Sequence, residues 1–454
     1  MVTRRVRDSS ALAVEHAHTL HRLWRHRDAS RAALRQFQVR KLRVLVAHCR
    51  RDVAAYREHW RAADLSPADI TTPEDIRHLP TIGKNELRSR PVGATIVDGA
   101  DPRRLVRHLT SGSSGQPFTI YRSKREEHLL NLFRMRAYAR VGVRLFDRIA
   151  RFQQMPLDRL RRCWPGRLRQ GLGIYREEVL DAMAPVDEMI EQLLRCRPDV
   201  VAGYASTLQH VAAGLRERGL DRTLHPRVVF TGAEVLGTAA RRRIEQAFSA
   251  PLVDLYGSHE FNLLASQCRE SDGYHVCDDN VLLEVLGEDG RPVGIGETGE
   301  VVATALHSYT MPFVRYRTGD LAIRGPDACP CGRAFSTLRA IQGRATDYLR
   351  LPGGRCVHPF VITGYVAERE AGWVSQLQLV ETDLGRVLLK IQPESAPRPE
   401  DIERVRAFGA AILGADVHFD VTLVDGFVPH RSGKFPLYVS LRREVLHAER
   451  SFDV

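Results

Sequence analysis

Three groups of residues in this chain have types and spacings that could do chemistry. The first is the run His108, Leu109, Thr110, Ser111, Gly112, Ser113, Ser114, Gly115, Gln116, Pro117, Phe118. Small residues let a backbone approach a polyphosphate closely, hydroxyls donate to phosphate oxygens, and successive N–H groups form an anion-binding concavity. No lysine closes the run, so it is not the nucleotide loop ending in Gly-Lys-Ser/Thr, and taken alone it reads more readily as a surface hairpin. The second group is a series of short segments: Thr231-Gly232-Ala233-Glu234, Asp254 with Tyr256-Gly257-Ser258-His259-Glu260, Tyr316-Arg317-Thr318-Gly319-Asp320, Gly343-Arg344-Ala345-Thr346-Asp347 and Arg431-Ser432-Gly433-Lys434-Phe435. Singly, Asp320 reads as a turn residue, Glu260 as a helix cap and Lys434 as a solvated charge. The third is Cys268, His275, Cys329 and Cys331. Three thiolates and an imidazole suit tetrahedral Zn²⁺, with Cys277 as a substitute ligand and buried free thiols as the other reading. Four protein ligands would leave no open position, so such a metal would be structural.

These groups need elements to carry them. Apolar positions at helical spacing (Leu42, Leu45, Val46, Cys49, then Val53 and Tyr56) predict a helical lead-in over about residues 1–75. Beyond Pro80, strand and helix patterns alternate. Strands are expected at Val200–Ala202, Val228–Thr231, Leu252–Leu255, Val281–Val285, Glu300–Ala303 and Val314–Tyr316, with helices at Lys124–Val141, Pro185–Arg195 and Gly237–Phe248. Alternation of this kind argues for α/β layers. From about Tyr348 a smaller pattern with an amphipathic helix at Pro399–Leu413 reads as an α+β unit of its own. The expected division is therefore a large domain over 1–346 and a small one over 347–454.

Composition bounds the function. The 454 residues are 43% hydrophobic and 27% charged, a globular balance, and no apolar run reaches the roughly 18 residues of a membrane span. The formal charge of +12 raises nucleic acid as a partner, but arginine is spread along the chain and no nucleic-acid motif accompanies it. Lysine occurs only at Lys41, Lys84, Lys124, Lys390 and Lys434, which makes each of them worth attention. The N-terminus lacks the apolar stretch of a secretory signal, and eight scattered cysteines suit a reducing compartment, so a cytoplasmic protein is expected.

The five short segments, in this order and at these separations, resemble the core motifs of the adenylate-forming superfamily. Upstream, Ala55-Tyr56-Arg57, Asp75-Ile76 and Leu79-Pro80-Thr81 with Lys84 and Arg88 look like the lead-in of its phenylacetate–CoA ligase branch, so the likeness spans roughly residues 40 to 440. The resemblance implies a large multi-subdomain N-terminal adenylate-forming domain and a small mobile α+β C-terminal domain. It implies that Thr110, Ser111, Gly112, Ser113, Ser114 and Gly115 cradle the triphosphate of ATP, that Glu260 holds Mg²⁺, and that Asp320 binds the ribose hydroxyls. Gly232, Ala233 and Glu234 would line the adenine with Tyr256 and Gly257, Arg344 would sit near ribose and phosphate, and Lys434 would bridge the carboxylate and the α-phosphate. Some members of the branch carry zinc where Cys329-Pro330-Cys331-Gly332-Arg333 stands.

Two departures stand out. His259 replaces the Thr or Ser that commonly precedes the motif Glu, and either faces the acid or is simply tolerated. Thr346 stands where relatives commonly carry an Asp at the hinge, with Asp347 next. The implied reaction is activation of a carboxylic acid as acyl-AMP, followed by transfer to CoA, with an aromatic acid favoured by the resemblance. Transfer to an amine, a hydroxyl or a carrier-protein thiol is the alternative within enzymes, and a nonenzymatic nucleotide-binding protein the alternative outside them. The acid pocket is expected from Arg151–Met155, Gly203–Thr207, Thr231–Leu236 and Tyr256–Asn262.

Overall fold

The computed structural model describes residues 23, 25–26, 28–109, 118–153, 176–344, 349–352, 356–357, 359–370, 372–427 and 435–441. The chain forms two compact units, Met1–Gly142 with Leu255–Ile341, and Val143–Asp254 with Gln342–Val454. It is mixed α/β, as the alternating patterns predict.

In the first unit, Ser30 caps the helix Arg31–Asp52 by accepting a hydrogen bond from the Ala33 N–H. The face predicted from spacing is the buried one: Leu42, Leu45, Val46, Cys49, Val53 and Tyr56 are all fully enclosed. They join a core with Phe261, Phe313 and Tyr316. Along one run of sheet the order is Val281–Leu286, Thr298–Ala305, Tyr316–Arg324, Thr337–Arg344, Tyr274–Val276, Ala265–Gln267 and Leu252–Tyr256.

Val314–Tyr316, expected as a strand, is not one until Tyr316. Arg315 sits in the left-handed region at φ 47, a conformation that breaks extended backbone. Its guanidinium explains why the chain accepts this: it bonds Glu284 at 2.9 and 3.0 Å and the Leu79 carbonyl at 2.7 Å, tying three segments together.

The hairpin Val106–Leu109 with Thr119–Arg122 pairs Leu109 with Thr119 and so brackets residues 110–117, which lie outside the described residues. The helix Lys124–Arg140 follows from a capping box between Ser123 and Glu126. Glu126 also accepts the Tyr309 and Thr310 N–H groups at 2.6 and 2.7 Å, fixing the helix start to a distant loop. Farther along, Arg136 meets Asp279 in a buried bidentate pair that His26 joins at 3.1 Å. Removing one partner of such a pair leaves a buried charge and costs about 3–5 kcal/mol.

In the second unit, parallel strands lie in the order Arg176–Asp181, Arg148–Gln153, Val200–Gly203, Val228–Gly232. Helices Val186–Cys196, Ala205–Glu217 and Thr238–Phe248 intervene. The near-continuous apolar strands Val200–Gly203 and Val228–Gly232 read as strands covered on both faces.

The later residues of this unit build a four-stranded sheet in the order His418–Leu423, Arg386–Pro393, Val374–Asp383, Tyr438–Ser440. Leu379, Leu389, Ile391, Val405 and Leu413 give it a core of its own, to which the predicted helix Pro399–Leu413 contributes.

Candidate active site

Thr318-Gly319-Asp320 is a β-bulge. Val302 pairs with Arg317 and Glu300 with Leu321, so three residues stand opposite Val301 alone. Gly319 adopts φ 75, which glycine takes at no steric cost, while the Thr318 hydroxyl donates to the Val301 carbonyl at 2.9 Å and accepts from the Asp320 N–H at 3.1 Å. The Thr-Gly pair thus re-aims Asp320 out of the ladder. Its carboxylate meets the Tyr256 hydroxyl, which donates at 2.7 Å.

Tyr256 ends its strand, and the chain turns at once. A Cβ on Gly257 would come within 2.2 Å of the Asn262 carbonyl oxygen, so only glycine fits this close approach. The turn is closed by the Asn262 N–H on the Ser258 carbonyl at 2.8 Å, and it delivers Glu260 to a buried position where the Tyr316 hydroxyl donates to it at 3.2 Å. Two carboxylates from separate motifs are each held by a phenol of the other motif: Tyr256 serves Asp320, and Tyr316 serves Glu260. The Glu260 carboxylate is a hard oxygen donor, the type Mg²⁺ prefers.

His259, beside Glu260, is fixed through its carbonyl by the Arg122 guanidinium. Arg122 also donates to Glu127 at 3.1 Å, and His108 bonds the same carboxylate oxygen at 2.8 Å. Burial alone would raise the Glu127 acid, but His108 and Arg122 overcome it and hold it at about 2, so an anion stands between them. The His108 and His259 rings are 6.0 Å apart. Sequence reasoning missed Glu127 and Arg122. The available signal was the capping box, which sets the helix register, together with the hairpin pairing of His108 with Ile120, two residues from Arg122.

In the second unit, Ala233 follows its strand at φ 66 and is exposed, while Gly232 and Glu234 are half-buried. Glu234 accepts from the Ser206 N–H at 2.8 Å, the Ser206 hydroxyl at 2.9 Å and the Phe435 N–H at 2.6 Å. Arg344 ends its strand exposed, after Gly343 at φ 107. Arg151, on the strand edge of the expected acid pocket, pairs with Glu177. Thr110, Ser111, Gly112, Ser113, Ser114, Gly115 and Lys434 lie outside the described residues, as do residues 154–155 of that pocket.

The four metal-ligand candidates come together from three places. Cys268 ends a hairpin closed by its N–H on the Gly273 carbonyl, His275 lies on the returning strand, and Cys329 and Cys331 flank a turn closed by the Gly332 N–H on Cys329. Their ligand atoms all lie within 4.8 Å of one another. Tetrahedral zinc with bonds of about 2.3 Å places two sulfurs about 3.8 Å apart. The Cys268 and Cys329 sulfurs are separated by 3.8 Å, and His275 Nε2 stands 3.1 Å from the Cys331 sulfur. Burial, with Arg140 and Arg333 nearby, lowers His275 to about 4, so its imidazole is neutral at pH 7 as a ligand must be. The donor set fits zinc. Cys277, the suggested substitute, instead packs in an apolar cluster with Ala137 and Leu263, and burial raises its thiol to about 11.

No family model matches the chain. It is 28% identical over 337 residues to phenylacetate-coenzyme A ligase of Thermus thermophilus, covering 71% of this chain and 73% of that one. To the phenylacetate-coenzyme A ligase of Pseudomonas putida it is 29% identical over 334 residues, covering 72% and 74%. Among solved structures, 2-hydroxyisobutyryl-CoA ligase in a postadenylation state matches with a TM-score of 0.76 at 21% identity, over 94% of this chain and 93% of that one. Fold and ordered motifs together define an adenylate-forming enzyme. Within that superfamily its sequence relatives, at 28–29% identity, are named phenylacetate-coenzyme A ligases.

Proposed function

We propose that this enzyme is an AMP-forming acid–CoA ligase. A carboxylate oxygen of the acid attacks the α-phosphorus of ATP, the bond to the β-phosphate oxygen breaks, and pyrophosphate leaves. The CoA thiol, losing its proton, then attacks the acyl carbon of the mixed anhydride, and AMP departs as the thioester forms. The observation that carries this reading is the reciprocal pairing of Tyr256 with Asp320 and Tyr316 with Glu260, which sets two carboxylates of separate motifs in fixed places.

Joining two anions requires charge neutralisation and alignment more than covalent help. Asp320, aimed by its bulge and oriented by Tyr256, presents acceptor oxygens to the ribose hydroxyls. Glu260 would hold Mg²⁺, which when bound with ATP offsets the phosphate charge. The hydroxyls and amides of Thr110 to Gly115 would cradle the triphosphate, Arg344 would reach ribose and phosphate, and Lys434 would bring a positive charge to the reacting oxygens. His259 and the His108–Glu127–Arg122 group flank the motif Glu and shape the acid end, for which the named relatives favour an aromatic acid.

Cys268, His275, Cys329 and Cys331 would hold a structural zinc. Residues 347–454 would act as a small domain that moves between the two half-reactions. No described helix is long and apolar enough to cross a membrane, and the reaction would run in the cytoplasm, where ATP, CoA and reduced thiols coexist.

The test is ATP–pyrophosphate exchange against a panel of aromatic, aliphatic and hydroxy acids, followed by mass analysis for CoA thioesters. Acid-dependent exchange with thioester product is expected. Exchange without thioester would move the acceptor to an amine, a hydroxyl or a carrier protein. No exchange from folded, metal-replete enzyme across the panel would overturn adenylation.

A further inference from the structure

We propose that Glu234 is a positioning residue that anchors the main chain at Phe435, the residue directly after Lys434, for acid activation. This rests on the ligase reading above and adds to it a role that lining the adenine does not require. Three donors converge on this carboxylate. The Ser206 N–H and hydroxyl approach at 2.8 and 2.9 Å, and the Phe435 N–H at 2.6 Å. Ser206 is the second residue of the helix Ala205–Glu217, so its N–H is one of the four that a helix start leaves without an internal partner. Glu234 satisfies it and, with the same carboxylate, holds an amide some 200 residues away in sequence.

That amide belongs to the residue directly after Lys434. The Phe435 ring is held independently, edge to face against Phe427 at 4.9 Å. The C-terminal sheet is seated on the same unit by Arg243, which donates to Glu394 and to the Ser375 carbonyl, each at 2.7 Å, and to the Val374 carbonyl. Arg216 reaches Glu394 as well, at 3.0 Å. Arg243 therefore sets the sheet, and Glu234 sets the chain at Phe435, just before the strand Tyr438–Ser440. A carboxylate accepting charge-assisted bonds from two backbone amides is a rigid fixture for the chain segments it joins.

The role predicts a selective defect. Glu234→Ala should lower kcat for ATP–pyrophosphate exchange about 10- to 100-fold more than kcat for transfer of supplied acyl-AMP to CoA, with KM for ATP within about threefold of the parent. Glu234→Gln keeps an acceptor oxygen and should recover most of the loss. Hydrogen–deuterium exchange on the ligand-free enzyme supplies a reading that needs no activity: the peptide containing Phe435 should lose protection in Glu234→Ala and keep it in Glu234→Gln.

Equal loss of both half-reactions, or a raised ATP KM with kcat intact, would overturn the proposal in favour of a structural or base-binding role. So would unchanged protection at Phe435. Absence of acid-dependent exchange in the parent enzyme would overturn the ligase reading itself, and is distinguished by that exchange pattern at Phe435.

Discussion

The carboxylates of the two units are held in different ways. Asp320 and Glu260, in the first unit, are held by phenols, each from the other's motif. Glu234, in the second, is held by two backbone amides and a hydroxyl. A phenol orients one oxygen, whereas main-chain amides on both oxygens fix the carboxylate to the chain. Motif acids of one chain can therefore stand in different hydrogen-bonding environments. Two are oriented by side-chain hydroxyls, and one is bonded to main-chain amides.

The largest effect belongs to Glu260→Gln, which removes the charge proposed to hold Mg²⁺ and should lower the exchange rate about 10²–10³-fold with little change in Tm. A loss under tenfold would remove Glu260 from the reacting centre. Tyr256→Phe deletes the hydroxyl on Asp320. Hydrogen bonds to charged groups contribute about 1.5–3 kcal/mol, so KM for ATP should rise about tenfold or more. An unchanged KM would show that Asp320 is oriented by something else.

The Cys/His cluster, in the first unit as well, predicts a stability effect without a selective catalytic one. Mass spectrometry of purified protein should find one zinc per chain. Cys331→Ser should deplete it and lower Tm by about 5 °C or more, with both half-reactions falling together. Zinc-free protein of undiminished Tm would reject the site.

The smallest effect concerns pH. Burial raises the Asp278 carboxyl to about 7 despite the Ser336 N–H donating to it at 2.5 Å. The folded state therefore favours the neutral acid. That stabilisation is fully present below the ordinary carboxylate range near 4 and is lost as pH rises through about 7. Relative to the parent, Asp278→Asn should thus gain about 4 kcal/mol of stability between pH 4 and pH 8, read by denaturant titration. A difference that is flat with pH would mean that Asp278 is ionised throughout.

Much of this is legible in the chain. Helical spacing marks the buried face from Leu42 to Tyr56, and chemical type alone gathers Cys268, His275, Cys329 and Cys331. The Tyr-Arg-Thr-Gly-Asp segment points to Asp320, although the reason for its Thr-Gly, a bulge, depends on a partner strand that sequence does not name. What sequence misses shares one cause. Arg122 on His259, Arg315 on Glu284 and Arg243 on Glu394 are ordinary arginines in a chain full of them, and only tertiary pairing distinguishes them. The same holds for Val314–Tyr316, where β-branched composition argues for a strand and the fixed guanidinium of Arg315 prevents one.

The most direct test of the central claim follows an atom. With the most active acid of the panel labelled by oxygen-18 in both carboxylate positions, attack of the carboxylate on the α-phosphorus must carry one labelled oxygen into AMP. The account predicts AMP heavier by one ¹⁸O for each thioester formed, and a thioester that retains the other label. Unlabelled AMP, or ADP in its place, would contradict it.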